Sequence, residues 1–160
     1  MGIVWTNPKE LNNLTKKLQE IYDRKSITFL QSVGERVVKK ARIAGSYMDR
    51  TANLRNSIGY IIVQYGYVVN SSFDGNISPN PKYANEANSE EAKQSSYKYA
   101  TRIAATLSKK KTYLIVVAGM NYAKYVEARG YDVLQSSESW VEASANTLIR
   151  EFERYFKETL

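Results

Sequence analysis

Cysteine and histidine are both absent from the 160 residues of this chain, and there are only three prolines. Without Cys there is no disulfide, no thiolate nucleophile and no sulfur-ligated metal. Without His the usual general base and the commonest transition-metal ligand are missing. Ser-His-Asp, Cys-His and zinc-water mechanisms are therefore excluded, and any chemistry would rest on Asp, Glu, Lys, Tyr, Ser or a carboxylate-bound magnesium ion. A long apolar run is missing too. The longest, Tyr113–Met120, falls well short of the roughly 20 residues that cross a bilayer, so it reads as a strand and no membrane partner is expected. Met1–Trp5 lacks the basic and extended apolar regions of a secretory leader, so the expectation is a protein that stays where it is made. The missing Cys fits a reducing compartment.

What is present describes a globular chain. Hydrophobic residues make up 43% and charged residues 24%. At this length one domain over residues 1–160, burying about 70% of its unfolded surface, is the expectation. The 23 Lys+Arg against 16 Asp+Glu give a net charge of +7. That field attracts polyanions, but it also serves plain solubility. Lys109, Lys110 and Lys111 form the single uninterrupted basic run. They are the candidate contacts if the chain is a small basic nucleic-acid-binding module.

Helical and strand signals alternate along the chain. Asn7-Pro8 is a helix start, with a side-chain acceptor at the cap and a ring of fixed φ at the first position. Leu11, Leu14, Leu18, Ile21 and Tyr22 follow at three-and-four spacing. After a polar patch at residues 23–26 the pattern resumes with Ile27, Leu30, Val33, Val37, Ala41 and Ala44. Gly45 is expected to end it in a left-handed conformation, giving one long helix or two with a break near Lys25. Ser57–Val63 and Tyr67–Val69, stepping around Gly66, predict a β-hairpin. Residues 70–82 read as a loop and Ser89–Lys111 as a weakly amphipathic helix, so that 70–111 is a loop-and-helix insertion. Thr112–Ala118 is a strand and Asn121–Arg129 a short helix closed by Gly130. Residues 131–135 are a possible strand. Ser136–Ser139 caps a last helix with Trp140, Ala143, Thr147, Leu148, Phe152 and Tyr155 on one face. The fold class is α+β: a small antiparallel sheet with the N- and C-terminal helices packed on one face.

Two segments are candidates for function. In Tyr47–Ile58, the residues Asp49, Thr51, Asn53 and Asn56 are of types that bond nearby backbone and stiffen a link. Arg50 and Arg55 on such a link could offer fork-shaped donors to a carboxylate or phosphate. In Ala118–Gly130, Tyr122 and Val126 can face the sheet while Lys124, Tyr125 and Arg129 point outward, a composition that interface centres favour. Glu127 has no convergent second acid, and no glycine-rich phosphate loop accompanies it, so no catalytic, cofactor or metal site is expected. Tyrosine, at 13 of the 19 aromatics, suits extensive half-wet surface such as that of an assembly subunit.

Taken together, Thr51–Ile58 entering a strand and, later, a strand followed by Gly119 and Asn121–Glu127, closed by a glycine, resemble the head-tail joining (neck or tail-completion) proteins of long-tailed bacteriophages and prophages. The likeness covers nearly the whole chain apart from residues 70–110. It departs at Ala52, where that family usually carries Gly after the Thr, and at Ala128-Arg129, where one residue usually separates Glu from Gly. The resemblance implies a virion structural protein without catalytic activity or small-molecule ligand, assembled in the bacterial host cytoplasm. It would self-associate into a ring, touch neighbouring head-connector and tail proteins, and lie near DNA. Arg50, Asn53, Arg55, Tyr122, Tyr125, Glu127 and Arg129 are then the expected interface residues.

Overall fold

The computed structural model describes residues 7–158; Met1–Trp5, read above for a leader, lies outside them. One uninterrupted helix, α1 (Pro8–Ala44), opens the fold, with the Asn7 side chain accepting from the Glu10 amide at 3.3 Å. No break occurs at the polar patch. Lys25 is buried there because its ammonium donates to the Phe156 carbonyl at 3.0 Å and lies over the Tyr155 and Phe156 rings. The patch is thus the seat for the end of the last helix.

A single helical turn, α2 (Asn53–Ser57), leads into β1 (Ile58–Gln64), which pairs with β2 (Tyr67–Ser72) and with β3 (Thr112–Ala118) in an antiparallel sheet of order β2-β1-β3. Tyr65 and Gly66 both have positive φ, as a two-residue hairpin turn of the primed type requires. Strand β1 is apolar on both sides because both sides are covered. Ile58, Tyr60 and Ile62 meet α1, whereas Ile61 and Val63 meet α3 (Ser89–Thr106). The helix read as part of an insertion therefore builds half of the core. It does so mainly through the small residues Ala92, Ser96 and Ala100, with Ile103 packed beside them, while Tyr99 is exposed.

Helix α5 (Gln135–Lys157) follows the short α4 (Ala123–Ala128) and lies along α1 on the side away from α3. Phe152 and Phe156 pack edge-on against Tyr22, and Arg36 pairs with Glu151 at 2.9 Å. The fold is α+β as the sequence implies, with the N- and C-terminal helices on one side of the sheet. Four local expectations are corrected. Residues 70–72, read as loop, extend β2 through pairing with β1. Ser136–Ser139, read as the cap of the last helix, lies inside α5, whose N-cap is Leu134. Residues 131–135 form no strand, because Val133 plugs the core instead of pairing. Gly45 is not left-handed (φ −50°); a side chain is excluded there because a Cβ would stand 2.8 Å from the Tyr47 ring.

Candidate functional site at the link and corner

Residues 45–58 and 118–135, separated along the chain by the sheet and α3, meet at one end of the sheet. The link is organised by Arg55. Its guanidinium donates to the Gly45 carbonyl at 2.8 Å, capping α1, and stacks 5.2 Å from the Tyr47 ring centre. Its Nε lies 3.2 Å from the Asp49 carboxylate, a charge contact without the alignment of a hydrogen bond. Burial raises the Asp49 carboxyl above its ordinary range, outweighing the pull of Arg55. The buried Tyr47 hydroxyl has no aligned partner, and burial, reinforced by the Asp49 charge, pushes it up to about 12.

Ala52 then turns the chain with φ 58° while 1% exposed. This is a left-handed conformation that favours glycine over any residue with a Cβ. Tyr122 lines the same cleft as Thr51 from the far segment, and burial raises its phenol. Between the two segments lies a cleft of about 210 Å³ lined by Tyr47, Asp49, Arg50, Glu86, Tyr122 and Val126.

Two buried asparagines fasten the 73–88 stretch to this end. The Asn56 side chain donates to the Ile77 carbonyl at 2.9 Å and the Ser89 hydroxyl at 2.8 Å, and accepts from the Ile77 amide at 2.8 Å. Asn53 accepts from the Asn88 amide at 2.8 Å. Arg50 faces outward over the Tyr83 ring at 5.4 Å. Gly119 explains itself at the other segment. A Cβ there would stand 2.2 Å from the Ser96 Cα, because α3 crosses the end of β3 with Ser96 accepting from the Gly119 amide at 2.9 Å.

The corner is built around Glu127. Its Oε1 accepts from the Leu134 and Gln135 amides, both at 3.1 Å, so the carboxylate supplies the cap that α5 lacks from its own N-cap residue. Asp132 assists by accepting from the Ser136 amide at 3.1 Å. Gly130 takes φ +83° after α4, as a terminating glycine does. Tyr125 is 57% exposed, and the Arg129 guanidinium bonds its hydroxyl and stacks on its ring at 4.4 Å.

The seven expected interface residues therefore divide by position. Arg50, Tyr125 and Arg129 present themselves to solvent, with Tyr122 at the cleft wall. Asn53, Arg55 and Glu127 spend their polar atoms inside the chain. Glu86 in the cleft wall and Ser96 beneath Gly119 carry no signal in the sequence, since contacts across the fold place both. Lys109, Lys110 and Lys111 lie exposed in the turn before β3, at the opposite end of the sheet. There the Tyr65 amide donates to the Lys111 carbonyl at 3.2 Å.

No family model, curated protein or solved structure matches this chain. Among the described residues there is no group of three or more acids placed to hold a metal ion. No described helix is long and apolar enough to cross a membrane.

Proposed function

We propose that the chain is a structural subunit of a phage or prophage particle, a ring-forming head-tail connector or tail-completion protein that acts through protein–protein contacts. The observation that carries this reading is the convergence of Thr51–Ile58 with Gly119–Gly130. The two stretches on which the resemblance rests come together at one end of one fold, where Leu54 and Ala123 share an apolar cluster with Met120 and Val126. That end presents Arg50 over Tyr83 and Arg129 over Tyr125, planar cation–aromatic pairs of the kind that interface centres favour. A ring needs heterologous contacts, in which one patch of a subunit meets a different patch of the next.

Charge reversal at Arg50 and Arg129 tests the reading without touching the internal Arg55. The expected result is a folded protein whose particles fail to join heads to tails; full infectivity of the double variant refutes it. A basic nucleic-acid module is the second reading. It is favoured by the proximity of Lys109–Lys111 to the hairpin tyrosines Tyr65 and Tyr67, which supplies basic and aromatic groups side by side. Binding of this kind weakens steeply with salt, by roughly 0.9 logarithmic unit per phosphate contact.

A further inference from the structure

Among the described residues, no other element packs against the first three turns of α1. Residues 7–20 are all exposed, yet Leu11, Leu14 and Leu18 stand on one side of the helix at 41%, 44% and 46% exposure. The same stripe, continued through Tyr22 and Phe29, is what α5 covers lower down, and α5 runs out at Lys157. Above that level no described residue of the chain covers the seam. Gln19 and Asp23 brace this arm against the Tyr65 hydroxyl at 3.0 and 2.9 Å, so it projects from a fixed base.

A second apolar surface is also unfilled. Where α5 leans away from the sheet, a groove of about 510 Å³ opens between β3 and the start of α5. Val33 and Val37 form its floor, Leu114 and Val116 one wall, and Val141 part of the other. Its only charged lining residues are Glu138 and Glu142, while the arm carries Lys9, Lys16 and Lys17 against Glu10 and Glu20. Lys17 flanks the leucine stripe one turn from Leu14. A single copy cannot join the two surfaces, because Leu11 and Val33 sit 22 residues apart on one continuous helix, a separation of about 33 Å at 1.5 Å per residue.

We infer that the arm of one copy docks in the groove of a second, seating Leu11, Leu14 and Leu18 against Val33, Val37, Leu114, Val116 and Val141, with Lys17 toward Glu138 and Glu142. The contact is heterologous, so each copy offers an arm and a groove and the chain propagates until rotation closes it. The choice of a second copy as occupant rests on the self-assembly reading above.

The absence of native cysteine makes the test direct. Leu14→Cys and Val141→Cys are prepared as separate proteins and oxidised alone and mixed; a disulfide forms only when the Cα atoms come within about 7 Å. The expected result is a disulfide heterodimer in the mixture, several-fold above any homodimer in either protein alone, and its loss when Leu11→Glu and Leu18→Glu are added to the Leu14→Cys chain. Three results overturn the inference: homodimer of Leu14→Cys alone at the level of the mixture, which means arm on arm; homodimer of Val141→Cys alone; or no cross-link at the highest soluble concentration. Closed rings seen by electron microscopy without the cross-link would remove this contact and leave the connector reading standing. The cross-link in a protein whose particles need no connector would do the reverse.

Discussion

Glu127→Ala separates an internal role from an interfacial one. Its carboxylate accepts from two amides at the start of a 23-residue helix whose own N-cap residue, Leu134, offers no side-chain acceptor. Removing such a cap costs about 1 kcal/mol, and removing a negative charge from a helix N-terminus a further ~0.5 kcal/mol. The expected loss is therefore about 1–2 kcal/mol, or a fall in Tm of roughly 2–8 °C for a domain of this size. Glu127→Gln keeps an oxygen acceptor and gives up only the charge, so its loss should stay below about 1 kcal/mol and shrink as salt is added. Thermal melting followed by circular dichroism, with urea titration as a check on cooperativity, reads both. If Glu127→Ala melts with the parent protein, or Gln is worse than Ala, the capping argument is wrong and Glu127 acts elsewhere.

Three further outcomes are expected. Gly119→Ala drives a methyl into the α3 backbone at Ser96 and should cost at least ~2 kcal/mol in urea unfolding, within the range of overpacked cores. Ala52→Gly relieves left-handed strain of about 1–2 kcal/mol while losing a buried methyl worth ~0.8 kcal/mol and adding backbone entropy to the unfolded chain. It should stay within about 1 kcal/mol of the parent, whereas Ala52→Val should be markedly less stable. Tyr47 holds its proton up to about 12 in the fold against an ordinary 10.0. Its contribution to stability is thus complete below pH 10 and is lost as pH rises toward 12. Tyrosinate absorbance should show Tyr47, and Tyr60 held up by burial and its bond to Glu35, ionising late and together with unfolding; a spectrum in which every tyrosine titrates in its ordinary range would refute this.

Periodic elements were legible in the sequence, and long-range contacts were not. The Asn7 cap, the end of α1 before Gly45, the hairpin at Tyr65-Gly66 and the glycine after α4 all follow from local chemistry, and each is found. The stripe of α3 was legible, but not its place in the core: close approach to a sheet selects Ala92, Ser96 and Ala100, and such small residues do not show that a strand lies against them. Lys25 read as a possible break because the carbonyl that receives its ammonium lies 131 residues away. At the candidate site the sequence marked the two segments but not their meeting. Arg55 and Glu127 look like surface charges until the Gly45 carbonyl and the Leu134 amide are brought beside them.

Because α1 is unbroken over 37 residues, the arm and the body share one angular phase. Adding a single residue between Glu20 and Asp23 would swing Leu11, Leu14 and Leu18 by about 100° around the axis, while four would return them to within about 40° and lengthen the reach by about 6 Å. For an arm that docks as inferred above, the direction of docking would be set by a count of residues, and insertion could re-aim it without altering any surface.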